Sequence, residues 1–309
     1  MNLKGRDLLT LKDYTKEEIK YLIDKATEIK RNPKKFSKSL EGKTLAMIFQ
    51  KTSTRTRVSF EVAMTQMGGH AIYLDWRTTQ FPIADIRDEA RCIARYSDAI
   101  MARMLKHADL KLLAEAAEVP VINGCCEKYH PCQILGDLLT IKEKKGKLEG
   151  LKLVYMGIAN NVSNSLTVGC TKVGMNFVLC SPERHPPSFD EEIIKEAKKT
   201  GLYFEEKDPR KAIKDADIIY TDTWIDMELF LDQKFKKEKE RRIKTFAPYQ
   251  VNKKLLELNP NVLVMHPLPA HRGLEIDDYT IESKNSIIFD QAENRLHIQK
   301  AILLELIKD

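Results

Sequence analysis

No apolar stretch in the sequence approaches the roughly 20 residues that a membrane-spanning helix requires. The N-terminal MNLKGRDLL also lacks a signal-peptide core, so neither a membrane partner nor export is expected. Cysteine is sparse. The six present (Cys92, Cys125, Cys126, Cys132, Cys170 and Cys180) form no C-x-x-C pair, so reduced thiols in a cytoplasmic protein are the expectation. There is no H-E-x-x-H and no Cys/His set for a catalytic metal. G-x-G-x-x-G is missing too, which argues against a nicotinamide cofactor, and Gly42-Lys43-Thr44 imitates only the tail of a P-loop before running into a strand. No fixed-period repeat or low-complexity tract occurs. Charge is not concentrated either. The formal net charge is +6, and the basic run Lys234 to Arg242 is broken by Glu238 and Glu240, unlike a nucleic-acid footprint but compatible with a site for a small anion.

Hydrophobic residues make up 43% of the chain and charged residues 31%, a globular balance, and 309 residues suit two domains with separate cores. Thr15 and Glu18 have the spacing of a capping box, and Ile19, Leu22, Ile23, Ala26 and Ile29 follow at helical spacing until Asn32-Pro33. Thr44–Phe49 reads as a buried strand, and Thr54 to Met67 as a helix stopped by Gly68-Gly69. Strands are expected again at Ala71–Leu74, Ala99–Arg103 and Val119–Ile122, with helical stretches between them. After the polar stretch Lys142 to Gly150 a second series follows: strands Lys152–Met156, Asn176–Cys180, Ile218–Thr221 and Val262–Met265, with helices near Val162–Val173 and Asp190–Lys199. This alternation predicts an α/β protein of two doubly wound parallel-sheet domains with a cleft between them. A last helix, about Ala292 to Ile307, is long enough to cross back onto the first domain.

Ligands of such folds sit beyond the carboxyl ends of the strands, so the polar residues that follow each strand carry the information. After Phe49 comes Ser53-Thr54-Arg55-Thr56-Arg57, opening a helix. Helix N-terminal N–H groups attract anions, and hydroxyls at Ser53, Thr54 and Thr56 with the Arg55 guanidinium complete a phosphate cradle. A solvated N-cap is the plainer alternative for any one such run. Arg103 ends a buried strand, which is costly unless it meets an anion. Asn123-Gly124 and then His130-Pro131-Cys132-Gln133 follow the next strand, and proline at a first helical position aims His130 and Gln133 at the cleft. In the second series, Gly157-Ile158-Ala159-Asn160-Asn161, then Asp222, Asp226 and Met227, then His266-Pro267-Leu268-Pro269 follow successive strands. Asp85 and Asp88 read as a solvated helix face.

Taken in order, Ser53 to Arg57, His130 to Gln133, His266 to Pro269 and Asp290-Gln291-Ala292-Glu293-Asn294-Arg295 resemble the aspartate/ornithine carbamoyltransferase family over essentially the whole chain. The resemblance implies a homotrimer, or an assembly of trimers, without a cofactor. Residues 1–145 with the C-terminal helix 291–309 would bind carbamoyl phosphate, and 146–290 the amine acceptor. Ser53, Thr54, Arg55 and Thr56 would hold the phosphate. Arg103, His130 and Arg295 would form the catalytic set, holding and polarising the carbamoyl group with Gln133. The Leu268 carbonyl would accept from the carbamoyl NH2, and Asn161, Asp222 and Met227 would grip the acceptor.

The ornithine branch is nearest, through Tyr220-Thr221-Asp222-Thr223-Trp224 and Asp290 to Arg295. That implies carbamoyl transfer to the side-chain amine of L-ornithine, giving L-citrulline and phosphate in arginine metabolism. Three positions depart from that branch. Asp226-Met227-Glu228 replaces Ser-Met-Gly, Pro267 replaces a cysteine, and the loop Asp75 to Ile83 lacks a Gly-Glu segment, leaving Gln80 to reach a neighbouring subunit's site. A carboxylate at Asp226 beside the acceptor would repel aspartate and favour a cationic amine, while a solvated loop acid is the plain alternative. Another diamine or diamino acid, or less readily aspartate, stays open as acceptor, as does a paralogue that binds ligand without catalysis.

Overall fold

The strands β1 (Thr44–Phe49), β2 (His70–Asp75), β3 (Ala99–Arg103) and β4 (Val121–Cys125) form one parallel sheet in the order β2-β1-β3-β4. A computed structural model describes residues 1–225 and 233–308. It divides into two compact units, Met1–Leu139 with Glu293–Asp309, and Thr140–Ala292.

In the first unit the central strands read TLAMIF and AIMAR and are buried almost throughout, as strands covered on both faces must be. Ile48, Ile100 and Ala102 pack with Leu110 and Leu113 of α4 (His107–Ala116) and Ala90 of α3 (Ile86–Ala94). Helix α1 (Lys16–Arg31) carries the expected Thr15–Glu18 capping box and buries the five predicted apolar residues. Asp85 is the N-cap of α3 and Asp88 lies in its first turn, so this acidic pair starts a helix. Phe49 pairs with both Asp75 and Arg103, which brings three strand ends level. The strand order reverses between β1 and β3, so the crevice of a doubly wound sheet opens where α2 (Thr54–Gln66) begins.

Helix α2 is followed, after its C-cap Met67, by Gly68, whose φ is +85° and whose missing Cβ would lie 3.1 Å from the Ser37 carbonyl oxygen. Gly68→Ala is expected to lower stability by about 1–2 kcal/mol, since an L side chain disfavours that backbone; thermal unfolding measures it. Strand β4 differs from the expected Val119–Ile122. It continues through Asn123 and Gly124, with a bulge where Ala102 pairs with Asn123 but Arg103 pairs with Cys125. A Cβ at Gly124 would lie 2.4 Å from Met101 Sδ, so that side chain would have to shift.

The second unit holds β5 (Lys152–Met156), β6 (Asn176–Cys180), β7 (Tyr203–Glu205), β8 (Ile218–Thr221) and β9 (Leu263–Met265), all parallel, in the order β7-β6-β5-β8-β9. The reversal lies between β5 and β8, so their following loops flank this crevice. β7 has no counterpart among the expected strands; it is a three-residue edge strand with Phe204 and Glu205 exposed. Helices α5 (Pro131–Lys145), α6 (Asn161–Val173) and α7 (Glu191–Lys199) fall where expected or between expected strands. The last helix, α8 (Ile288–Leu306), starts four residues before the expected Ala292, and its residues from Glu293 onward belong to the first unit.

Candidate functional site

Ser53 is the N-cap of α2. Its hydroxyl oxygen accepts from the Thr56 N–H at 3.3 Å, and its O–H donates to Thr56 Oγ1 at 3.1 Å. Thr56 is fully buried, Arg55 half-buried and Thr54 exposed. Arg57 is turned away from this cluster: it pairs with Glu61 at 2.9 Å and lies 3.9 Å over the Tyr73 ring.

Of the other expected residues, Arg295 meets Thr56 directly and Gln133 meets Arg295. Arg295 of α8, 3% exposed, donates to Thr56 Oγ1 at 3.2 Å and to Gln133 Oε1 at 2.6 Å. Gln133 in turn donates to Asp137 one helical turn on, at 2.8 Å. His130 precedes Pro131 at the start of α5 and is buried. Burial, then the charges of Arg295, Arg103 and Arg55, hold its imidazole well below its ordinary pKa, so it is neutral at pH 7. Arg103 is half-buried, with a long 3.5 Å contact from Nη1 to the Gly124 carbonyl. The Nε atoms of Arg103 and Arg295 are buried without a hydrogen-bond partner among the described residues. Burial lowers the Arg295 pKa, but a guanidinium stays charged in proteins. Cations with unmatched donors around one neutral imidazole make a site for a compact anion with more than one charge. Gln80 sits on an exposed stretch after β2, where its carbonyl accepts from Ile83 and Ala84 and its side chain makes no hydrogen bond among the described residues.

In the second unit Asp222 follows β8 and is 7% exposed. Asn160, the N-cap of α6, donates to its Oδ2 at 2.7 Å, and the Thr223 N–H donates to its Oδ1 at 2.8 Å. Burial nonetheless pushes the Asp222 carboxyl above its ordinary range. Asn161 is the first residue of α6 and half-buried; its neighbour Asn160 makes the bond to Asp222. Asp226 and Met227 lie outside the described residues. Pro267 and Leu268 are half-buried after β9, and Leu268 has φ +61°, a strained conformation for a residue with a Cβ.

That loop is anchored from below. His266 Nδ1 accepts from the Leu268 N–H at 2.8 Å, which leaves the ring proton on Nε2, 3.2 Å from Glu275 Oε1. The His266 N–H donates to Gln291, whose amide donates to the Tyr220 hydroxyl. Burial pushes the Glu275 carboxyl up, but hydrogen bonds from His266 and His271 outweigh it and hold the group at about 2. A depressed carboxylate stabilises fully above its unfolded value near 4.5 and loses that contribution as pH falls toward 2. Glu275 is therefore expected to contribute about 3 kcal/mol that disappears over this window. Urea unfolding at pH 6 and pH 3 checks it: Glu275→Gln should be less stable at pH 6 and lose less on acidification.

Asn160, Thr223, His271, Glu275 and Asp137 were not among the residues expected from sequence. Asn160 had a signal, an asparagine at the start of a predicted helix, and Asp137 lies one turn after Gln133. His271 and Glu275 follow the His266 motif with no periodic pattern to mark them.

The model of the aspartate/ornithine carbamoyltransferase carbamoyl-P binding domain matches residues 6–143, and that of the Asp/Orn binding domain matches residues 149–306. The chain is 51% identical to an ornithine carbamoyltransferase of Pyrococcus abyssi, over 99% of this chain and 97% of that one. It is 46% identical to one of Methanosarcina mazei, over 98% and 99%. The solved ornithine carbamoyltransferase of Pyrococcus furiosus superposes with a TM-score of 0.92 at 48% identity, covering 99% of this chain and 98% of that one. Matches to both domain models, nearly end to end, accompany a cationic cluster at the strand ends of one unit and a buried carboxylate at those of the other: the chain belongs to the aspartate/ornithine carbamoyltransferase family.

Proposed function

We propose that this protein transfers the carbamoyl group of carbamoyl phosphate to the side-chain amine of L-ornithine, giving L-citrulline and phosphate for arginine biosynthesis. The observation that carries the reading is that buried Arg295 donates to Thr56 at the head of α2 and to Gln133 of α5, while its charge, with those of Arg103 and Arg55, disfavours the imidazolium of buried His130. The relatives named ornithine carbamoyltransferase support the acceptor.

In this proposal Ser53, Thr54, Arg55 and Thr56 hold the phosphate, with Gln80 supplied to a neighbouring subunit of a homotrimer in the cytoplasm. Arg103, His130 and Arg295 hold the carbamoyl group, with Gln133. A neutral amine attacks the carbonyl carbon, charge develops on the carbonyl oxygen, and the C–O bond to phosphate breaks. The amine proton leaves with the phosphate, so no covalent enzyme intermediate is needed. A neutral His130 donates a ring N–H to that oxygen, and Arg103 adds charge; fixed donors of this kind are worth about 10²–10³-fold each. The Leu268 carbonyl accepts from the carbamoyl NH2. Asn161, Asp222 and Met227 are assigned to the α-amino and carboxylate groups of the acceptor, with Asp226 and Pro267 as further acceptor residues.

An acceptor panel with carbamoyl phosphate, run on the wild type and Asp226→Ser, tests the assignment. Ornithine is expected to give the highest kcat/KM. Another amine ahead of it would remove ornithine as the substrate, and carbamoyl-phosphate binding without any ureido product would leave a ligand-binding paralogue. Light scattering at three chain masses tests the trimer.

A further inference from the structure

The turn after β8 and the loop after β9 are joined by a histidine to which no substrate contact has been assigned. His271 Nδ1 lies 2.9 Å from Thr223 Oγ1. The Thr223 hydroxyl gives its own proton to the Ile225 carbonyl at 2.8 Å. With that proton on Ile225, Thr223 Oγ1 is assigned as acceptor from His271 Nδ1–H, an assignment that the Glu275 carboxylate oxygen 3.7 Å from Nδ1 favours. The main chain of His271 is held too, because its N–H donates to Glu275 Oε1 at 2.6 Å. On one side of this tie, the Thr223 N–H fixes Asp222 Oδ1. On the other, Glu275 fixes His266, which takes the Leu268 N–H.

We infer that His271 is a positioning residue for the acceptor half of the reaction: its Nδ1–H on Thr223, with its N–H on Glu275, holds Asp222 and the Leu268 loop in register. The inference rests on the acceptor role proposed for Asp222. The physical ground is that a side chain on a loop is precise only when a second contact locks it. Asp222 has Asn160 on one oxygen and depends on the Thr223 turn for the other. His271 prevents that turn from rotating without movement of the β9 loop.

The test uses geometry that distinguishes the two ring nitrogens. The amide nitrogen of asparagine occupies the place of Nδ1, and that of glutamine the place of Nε2. His271→Asn is expected to keep the bond to Thr223 and a KM for the acceptor near wild type. His271→Gln and His271→Ala are expected to raise that KM roughly 5- to 10-fold, the worth of one hydrogen bond. The KM for carbamoyl phosphate should stay unchanged in all three. Equal losses in the Asn and Gln variants, a change shared by both substrates, or a loss that only follows the melting temperature would overturn the inference. The panel is read with whichever amine the wild type carbamoylates, so a failure of ornithine as substrate and a failure of His271 as tie give different results.

Discussion

Arg103→Met is expected to lower kcat/KM for carbamoyl phosphate by about 10²–10³-fold, the range seen when one fixed donor to a developing oxyanion is removed, while the melting temperature holds or rises. The two effects separate because Arg103 gains little from the folded chain itself. Among the described residues its Nε is buried without a partner and its Nη1 makes only the 3.5 Å contact to Gly124. Its charge also opposes the buried Arg295. A methionine of similar length fills the space with no unmatched donor, and replacing a poorly paired, half-buried charge with an apolar side chain is often neutral or stabilising. Such a trade of stability for function is common at sites that must bind charge. The variant should also move His130. Arg103 is one of three cations that disfavour the imidazolium, so its loss raises the His130 pKa and shifts the acid limb of the rate profile to higher pH. Steady-state kinetics, thermal melts and a pH profile measure all three. A kcat/KM within a few-fold of wild type would remove Arg103 from the catalytic set.

Asp222→Asn is expected to raise the KM for the acceptor by roughly 10- to 150-fold with little change for carbamoyl phosphate. A hydrogen bond to a charged group is worth about 1.5–3 kcal/mol; the substitution removes the charge and also sets an NH2 against one of the two N–H donors that Asp222 now satisfies. Both oxygens of Asp222 already accept, from Asn160 and from the Thr223 N–H, so the carboxylate is oriented before the proposed acceptor binds. Burial raises its pKa above the ordinary 3.8. The proton therefore binds at higher pH than on a free carboxylate, and acceptor affinity should fall earlier on acidification. The variant should lack that dependence. Acceptor KM against pH for both proteins tests the point, and a similar rise in both substrates' KM would assign Asp222 to the scaffold instead.

Much of this architecture was legible before the fold was known, and for local reasons. A capping box acts across one turn, so Thr15 and Glu18 mark the start of α1 from four residues. β1 and β3 declare themselves as short apolar runs because both faces are covered. The Ser53 to Thr56 run was readable because its residues are contiguous. The misses have physical causes as well. β4 looked finished at Ile122 because asparagine and glycine ordinarily end strands, and only the Met101 side chain and the bulge explain why Gly124 stays within it. β7 was missed because an exposed three-residue edge strand buries too little to leave a pattern.

The donors at the strand ends were therefore named from the chain alone, but their state was not. Arg55 and Arg57 are equivalent in sequence, yet Arg55 acts on His130 while Arg57 is bound to Glu61 and Tyr73 at the surface. His130 is neutral because burial and three guanidiniums from α2, β3 and α8 converge on it. His271 meets Thr223 from 48 residues away, and Arg295 meets Thr56 from 239. Propensity and capping act over a few residues along the backbone. Shared protons and charge act over a few ångströms in space, and strand order decides which residues come that close.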